Sequence, residues 1–222
     1  MGAVTCEVHS GWNNGLYQCN LFDIGIGRVG SRSICQAARE LGIRSKHGFN
    51  GCKACHDDAV HKYLWGRCDF DIYRTCEYSG DISSFHWKEL AEFYPKAKFI
   101  LPVRPIDSWM ESLSYKTRVR GCIEKHERAI EKPIEWVHLL LLHVFGRIVW
   151  EHDTWLNGYQ KYVGEVMETL DKSRLLILDV FEMGDDELWE RLCTFLDKPV
   201  PNIPFPHFTR RCTHLQSVRE KV

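Results

Sequence analysis

The sequence predicts an α/β fold, in which a central parallel β-sheet is flanked by helices. Two observations predict it: short apolar runs suited to buried strands, over residues 21–26, 97–103 and 174–180, and helical patterns that alternate with them. Such alternation is typical of a parallel sheet whose crossovers are helices. The chain has 222 residues, of which 44% are hydrophobic, and this suits a single domain over residues 1–222 with a core of its own.

The first half of the chain begins with a polar stretch, residues 1–17, which is expected to form a loose lead-in. Residues 18–47 follow as a β-α-β unit, whose helix is predicted from about Ser31 to Leu41. Residues 48–78 form an insert that is rich in cysteine, histidine and charge. The next helix is predicted from Ser83 to Phe93, with Ser83 or Ser84 as its N-cap, because a serine side chain accepts hydrogen bonds from the first helical amides.

The second half of the chain is predicted to be mostly helical. A helix is expected to begin at Asp107, and the stretch from Pro133 to Leu170 has a helical pattern with breaks near Glu151 and Gly158. An amphipathic helix is predicted over Asp185–Leu196, and the proline-rich tail that follows it must be a loop.

The turn between the first strand and its helix has the composition of an anion site. It reads Gly25-Ile26-Gly27-Arg28-Val29-Gly30-Ser31-Arg32-Ser33. Glycines allow a tight turn and a close approach of the backbone to a ligand. The first amides of a helix have no partners inside the helix, and the helix dipole adds about half a positive charge there. A phosphate group fits such a position.

Three interpretations of this turn compete. A nucleoside triphosphate loop requires Gly-x4-Gly-Lys-Ser/Thr, but Ser31-Arg32 follows Gly30 in this chain. A dinucleotide loop requires Gly-x-Gly-x-x-Gly, which Gly25 to Gly30 match, and an acidic residue about 20 positions later. The next strand ends instead on Arg44-Ser45-Lys46-His47, which suits the 2′-phosphate of NADP. An NADP-binding oxidoreductase is therefore an alternative.

The third interpretation is a family resemblance that three segments carry. Arg28-Val29-Gly30-Ser31-Arg32-Ser33 resembles the sulfotransferase loop, in which a basic residue precedes Ser/Thr-Gly-Ser/Thr, although Val29 replaces the usual hydroxyl residue. Tyr94 to Leu113 resembles the segment that binds the 3′-phosphate of the donor, since Arg104 closes a strand and Ser112 follows on a helix. Residues 175–207 are similar to the last strand, helix and Pro-x-x-Pro-Phe-Pro loop of the short P-loop sulfotransferases.

The resemblance implies a P-loop-type three-layer fold and an enzyme that transfers a sulfuryl group. The donor would be 3′-phosphoadenosine 5′-phosphosulfate (PAPS), and the acceptor a hydroxyl or amine of a small molecule. Residues 48–78 and 116–170 would lie on the acceptor side. The residues that would hold the 5′ end of the donor are Gly27, Arg28, Val29, Gly30, Ser31, Arg32 and Ser33.

Two arginines carry separate roles in this resemblance. Arg104, together with Ser112, would bind the 3′-phosphate, because the guanidinium group makes two-pronged contacts with phosphate oxygens. Arg28 matches the basic residue that stabilises the bridging oxygen as the sulfur–oxygen bond breaks. An arginine can do this only electrostatically, because it does not give up its proton near neutral pH.

The acceptor must lose a proton, and two residues are candidates for the catalytic base. Asp81 is the first candidate, ahead of His47, because it lies where many sulfotransferases place this base, although it could instead cap the following helix. His47 ends the second strand, and the pKa of histidine suits proton transfer near neutral pH.

Composition excludes some classes of partner. A net charge of −1 argues against broad binding to nucleic acid or anionic membranes, and no apolar run is long enough to span a membrane. Because the N-terminus lacks a signal-peptide core, a cytoplasmic protein with reduced cysteines is expected. Cys35 and Cys193 are expected in the core. Cys52-Lys53-Ala54-Cys55-His56 leaves a zinc-stabilised binding protein as another alternative, although the irregular cysteine spacing favours no metal.

Overall fold

A five-stranded parallel sheet forms the centre of the computed structural model. The structure describes residues 19–48, 73, 76–119, 141–142, 144–147 and 151–208. The strands in this part of the chain are β1 (Leu21–Asp23), β2 (Ser45–His47), β3 (Tyr78–Gly80), β4 (Lys98–Val103) and β5 (Leu175–Asp179). Their order across the sheet is β2-β3-β1-β4-β5, and all four neighbouring pairs are parallel.

The α-helices whose bounds the structure describes are five, and residues 141–142 and 144–145 are also helical. The five helices are α1 (Ser31–Glu40), α2 (Trp87–Phe93), α3 (Ile106–Val119), α4 (His152–Thr169) and α5 (Asp185–Leu196). A short 3₁₀ helix, Ile82–Phe85, lies between β3 and α2. Of the helices the structure describes, none combines the length and apolar character that crossing a membrane requires.

The two faces of the sheet are covered by different helices. Because side chains alternate between faces along a strand, neighbours such as Leu21 and Phe22 enter different cores. Leu21 and Ile100 pack in one cluster with α1 and α5, and Phe22 and Phe99 pack in the other with α2, α3 and α4. The three-layer α/β architecture expected from the sequence is thereby confirmed.

The first strand is shorter than the apolar run predicts. β1 ends at Asp23, although residues 24–26 remain buried. The amide of Ile24 still bonds to Ile100 O at 2.9 Å, but the Gly25 amide bonds to the side chain of Asp23, so the ladder stops there. The other two predicted strands lie within the runs that predicted them, as β4 and β5.

The helix predicted from Ser83 begins later and without the expected cap. Residues 82–85 form the 3₁₀ turn, and α2 begins only at Trp87. The hydroxyl of Ser83 donates to Asp23 O at 2.7 Å and to Ser79 O at 2.9 Å, and the hydroxyl of Ser84 donates to Asp81 O at 2.6 Å. These serines therefore tie the turn to β1 and β3 instead of capping a helix.

The break predicted near Gly158 is also wrong. Helix α4 runs without interruption from His152 to Thr169, and Glu151 is its N-cap residue. A Cβ atom on Gly158 would lie 2.6 Å from Phe145 Cδ1 and 2.9 Å from Val144 O. The glycine is needed for this close contact between α4 and residues 144–145, and not for a break in the helix.

Part of the predicted layout lies outside the described residues: the lead-in at 1–17, most of the insert at 48–78, and residues 120–140. Two aromatic side chains, Tyr73 from the insert and Trp155 from α4, are described and lie in the core. Tyr73 and Trp155 are 1% and 2% exposed and belong to the core cluster of α2, α3 and α4. Trp155 stacks on Phe145 with ring centroids 4.4 Å apart.

We expect Gly158→Ala to destabilise the protein by about 1–3 kcal/mol, because the added methyl group overpacks the contact with Phe145. Gly164→Ala is the matched control on the same helix, since nothing lies within 4 Å of a Cβ atom there. This control should gain about 0.5–1 kcal/mol from helix propensity. Urea denaturation of both variants measures the difference, and equal effects of the two substitutions would contradict the packing argument.

Candidate active site

The charged residues singled out in the sequence meet at one edge of the sheet. Parallel strands place their carboxyl ends along the same edge, where ligands of such sheets bind. Arg28 lies in the turn after β1, His47 ends β2, Asp81 follows β3 and Arg104 follows β4. The topology therefore brings together four residues that are far apart in the chain.

The turn between β1 and α1 depends on glycine at position 30. Gly30 has φ +92°, and a Cβ atom there would lie 2.0 Å from Val180 Cγ2, at the end of β5. Arg28 also has a positive φ, 79°, which costs a residue with a side chain about 1–2 kcal/mol. Strain of this kind at an exposed turn is typical of functional sites.

The carbonyl groups of this turn are directed toward α3 and α4. Trp109 Nε1 donates to Gly27 O at 3.0 Å, Arg104 Nη1 donates to Arg28 O at 3.3 Å, and the Tyr162 hydroxyl donates to Ile24 O at 2.6 Å. In a trans peptide the N–H and C=O groups point in opposite directions. The Arg28 amide consequently points away from α3, and the Val29 amide points away from the Arg104 guanidinium group.

The first amides of α1 follow those of Arg28 and Val29 along the chain. The hydrogen bonds within the helix begin with Ser33, whose amide bonds to Gly30 O at 2.9 Å, so the Ser31 and Arg32 amides precede them. The first turn contains no acidic residue, and the N-cap Gly30 has no side chain that could occupy these amides. The helix dipole therefore favours an anion at this position.

Arg28, Arg104 and Ser112 form one network. Arg28 Nε donates to Ser112 Oγ at 2.9 Å, and Arg104 Nη1 donates to the backbone of Arg28. Arg104 Nε donates to Ser108 Oγ at 2.8 Å. The sequence pattern paired Ser112 with Arg104, whereas in the structure Ser112 contacts Arg28 and the partner on Arg104 is Ser108, one helical turn earlier.

Aromatic residues hold Arg104 in place. Its guanidinium carbon lies 4.1 Å from the centre of the Phe181 ring, and the Tyr159 hydroxyl lies between the amide and carbonyl of Arg104, at 3.0 and 3.1 Å. Asp179 Oδ1 accepts from the Phe181 amide at 2.9 Å, which fixes the turn that carries this ring. Burial lowers the pKa of Arg104, and the charge of Asp179 opposes that shift. Sequence reasoning missed Phe181 and Tyr159, because they reach Arg104 only through the folding of β5 and α4.

Not every residue of the predicted loop faces the same way. The side chain of Val29 is fully buried in the core, so only its backbone can take part in binding. Ser33 is 4% exposed, and its hydroxyl accepts the Phe208 amide at 3.0 Å, which ties the C-terminal tail to α1. Arg32 and Gly27 are exposed, whereas Ser31 is largely buried.

His47 contacts the loop directly. Its Nε2 atom lies 2.8 Å from Ser31 Oγ. Burial lowers the pKa of His47, and the nearby charge of Asp81 partly opposes this shift. The neutral form of the imidazole is therefore favoured near pH 7, and a neutral imidazole can accept a proton.

Asp81 does not act as a side-chain cap. It precedes the 3₁₀ turn with φ 77° and ψ −70°, and its carboxylate makes no capping hydrogen bond. This backbone conformation is unusual for a residue other than glycine. Asp81 therefore occupies the N-cap position of the 3₁₀ turn without the capping hydrogen bond that the alternative interpretation expects, and the charge of its carboxylate acts to raise the pKa of His47.

Asp23 is a buried acid that the sequence analysis did not single out. It is 0% exposed, its Oδ1 accepts the Gly25 amide at 2.9 Å, and its Oδ2 accepts the Tyr78 hydroxyl at 2.7 Å. Burial raises the pKa of Asp23 to about 7, against the effect of both hydrogen bonds, and the charge of Asp81 raises it further. The signal in the sequence was an aspartate inside an apolar strand.

Comparison with known proteins identifies the family. A family model described as "Sulfotransferase domain" matches residues 20–213, which is most of the chain. The chain belongs to this sulfotransferase family. Family membership decides among the three interpretations of the loop in favour of the third, and it makes sulfuryl transfer the general activity of the chain.

Two relatives illustrate how far the similarity extends. "Ava biosynthesis cluster protein M" of Aspergillus versicolor is 28% identical over 223 residues, which covers 88% of this chain and 82% of that protein. The crystal structure of a sulfotransferase from Alicyclobacillus acidocaldarius is similar with a TM-score of 0.48 and 14% identity, covering 92% of this chain and 90% of that one.

The cysteines that the structure describes in this sulfotransferase-family chain are core residues. Cys19, Cys35, Cys76 and Cys193 are all free and buried, which confirms the expectation for Cys35 and Cys193. The described residues contain no cluster of three or more side chains able to bind a metal ion. The run from Cys52 to His56 lies outside the described residues, so its proposed inertness stays a prediction.

We expect Asp23→Asn to remove a pH dependence of stability. An acid whose pKa is raised in the folded state loses stability as pH rises from its unfolded value, near 3.8, to about 7, by about 1.4 kcal/mol per pKa unit. Asparagine keeps an acceptor for the Gly25 amide but does not ionise. The free energy of unfolding, measured by urea denaturation across this range, should fall with rising pH less steeply in Asp23→Asn than in the wild type. Parallel curves would show that Asp23 does not titrate there.

Proposed function

We propose that this protein transfers a sulfuryl group from PAPS to a hydroxyl or amine of a small-molecule acceptor. The observation that carries the proposal is a pair of cationic positions at the carboxyl edge of the sheet. One is formed by the α1 N-terminus and Arg28, and the other by Arg104. PAPS carries a 5′-phosphosulfate and a 3′-phosphate, so it requires two anion positions.

The first position suits the 5′ end of the donor. The amides of Ser31 and Arg32 precede the hydrogen bonds of the helix, and the Arg28 amide points away from α3. Gly27 and Arg28 are exposed, so a ligand can approach the backbone. The Ser31 hydroxyl, which contacts His47, adds a polar group at the same place.

The second position suits the 3′-phosphate. The ring of Phe181 supports one face of the Arg104 guanidinium, and Ser108 binds its Nε. An arginine held on two sides loses less freedom when it binds a ligand, which favours a two-pronged contact with phosphate. Ser112 contacts Arg28, so in this arrangement its hydroxyl belongs to the first position.

Arg28 is proposed to stabilise the leaving oxygen. When bound, PAPS supplies the sulfuryl group, and negative charge develops on the bridging oxygen during transfer. The bond from Arg28 Nε to Ser112 orients the guanidinium before the reaction. A preorganised cation stabilises the transition state more than the ground state.

His47 is proposed to accept the proton of the acceptor, with Asp81 as the second candidate. The contact between His47 Nε2 and Ser31 Oγ supports this order, because it relates His47 to the loop that would hold the reacting end of the donor. The charge of Asp81 counteracts the effect of burial on the pKa of His47. Asp81 would then assist the base electrostatically.

We expect the protein to bind adenosine 3′,5′-bisphosphate, the desulfated donor. At a free concentration 100-fold above the dissociation constant, the nucleotide should stabilise the fold by about 2.7 kcal/mol, which a thermal scan detects. Arg104→Ala should weaken binding by about 10- to 100-fold, since a hydrogen bond to a charged group contributes about 1.5–3 kcal/mol. Arg191→Ala is the control, because Arg191 lies on α5 and pairs with Glu187. Calorimetry that finds no nucleotide binding by the wild type would overturn the proposal.

We expect the variants of the three catalytic residues to differ in kcat rather than in donor affinity. Arg28→Met should lower kcat by about 10²-fold or more, and His47→Gln by about 10²–10⁴-fold, because the first removes a charge and the second a proton acceptor. Asp81→Asn should lower kcat less than His47→Gln does, because it removes only a charge that supports His47.

The acceptor for this assay comes from a mass-spectrometric screen for products that gain a sulfuryl group. An acceptor that is already ionised at the assay pH should rescue His47→Gln but not Arg28→Met. If such an acceptor instead rescued Asp81→Asn while His47→Gln kept full activity, Asp81 would be the base.

A further inference from the structure

Asp23 connects three parts of the fold at the start of the anion loop, which is the turn over residues 25–33. Asp23 is the last residue of β1, and it is 0% exposed. One of its oxygens accepts the Gly25 amide, and the other accepts the hydroxyl of Tyr78, the first residue of β3. Its backbone carbonyl accepts the Ser83 hydroxyl from the 3₁₀ turn. No step of the proposed reaction uses this acid.

The Gly25 amide has to be satisfied from inside the protein. Gly25 is buried, and a Cβ atom there would lie 2.5 Å from Pro102 Cγ and 2.7 Å from Val29 Cγ2. The side chains of β4 and of the loop therefore pack directly against this buried glycine. A buried N–H group without an acceptor is costly, so the side chain two residues earlier has to provide one.

Asp23 supplies a hydrogen-bond acceptor for the loop, whereas the other side chains that contact the loop act as donors. Trp109, Arg104 and Tyr162 each donate to a carbonyl of the loop, from α3, from the end of β4 and from α4. The Gly25 amide requires an acceptor, and Asp23 is the acceptor the structure shows. The hydrogen bond from the Tyr78 hydroxyl orients the carboxylate, so the position of the loop depends on the neighbouring strand β3.

We propose that Asp23 is a positioning residue of the anion loop, which it fixes by bridging the Gly25 amide and the Tyr78 hydroxyl. It acts through the backbone: the bond sets the direction in which the chain leaves β1, and this direction leads to the positive φ of Arg28 and to the α1 N-terminus. The identity of the ligand in the loop, an anionic nucleotide, rests on the proposed function. The proposal about the loop itself does not.

The test compares two substitutions of nearly equal size. Asp23→Asn retains an oxygen for the Gly25 amide, and its NH₂ group can donate to the Tyr78 oxygen, whereas Asp23→Leu removes both contacts. The dissociation constant of adenosine 3′,5′-bisphosphate should rise by about 10- to 100-fold in Asp23→Leu, the scale of a misplaced binding group. In Asp23→Asn it should stay close to that of the wild type. Rescue by asparagine separates a hydrogen-bonding role from a role of charge.

Leu90→Ala controls for loss of stability alone. Leu90 is fully buried in the core at the middle of α2, the helix that leads from the 3₁₀ turn to the start of β4. It should lower the melting temperature and leave nucleotide affinity unchanged. The proposal is overturned if Asp23→Leu binds as tightly as the wild type, or if Leu90→Ala weakens binding as much as Asp23→Leu does.

A second measurement requires no ligand. Hydrogen exchange followed by NMR should show a protected Gly25 amide in the wild type and in Asp23→Asn, and a faster exchange in Asp23→Leu, while amides of α5 keep their protection. Tyr78→Phe should speed the same exchange if Asp23→Leu does not fold. Unchanged exchange at Gly25 would overturn the proposal. A wild type that protects Gly25 but binds no nucleotide would contradict the proposed function and leave Asp23 as the residue that holds the loop.

Discussion

The turn between β1 and α1 passes so close to the ends of β4 and β5 that two of its positions have room only for glycine. At Gly25 a side chain would collide with Pro102, and at Gly30 with Val180. These two contacts bring the start of α1 up against the carboxyl edge of the sheet. The helix N-terminus, with the partial positive charge of its amides, is thereby placed beside the residues that follow β4 and β5.

The arginines show how this close approach becomes a site. Arg104 leaves β4, stacks on Phe181 beyond β5 and donates to the backbone of Arg28 beyond β1, so one side chain connects three strand ends. Arg28 in turn reaches Ser112 on α3. Two cations held in one network suit a ligand with two anionic groups, which is why this network supports the proposed donor site more strongly than either arginine alone.

Polar groups beneath the turn compensate for its irregular backbone. Where β1 leaves the ladder, the amide and carbonyl groups that a strand would pair are bonded by side chains, namely those of Asp23, Tyr162 and Trp109. A buried acid with a raised pKa is unfavourable for stability, and it is retained where a buried amide has no other acceptor. On the other side of the turn, the Phe208 amide in the C-terminal tail bonds to the Ser33 hydroxyl, so the loop after α5 also supports α1.

The sequence by itself determined the alternation of strands and helices, the helix Asp185–Leu196 to the residue, and the positions of Arg28, Arg104, His47 and Asp81 after successive strands. These features depend on local periodicity and on the rule that parallel strands end at one edge. Only the tertiary structure decided that Ser112 contacts Arg28, that Phe181 supports Arg104, that Ser83 ties a turn to β1, and that Gly158 lies inside a helix. Each of these depends on atoms from elements far apart in the chain, and their distances follow from how the layers pack, which no local pattern records.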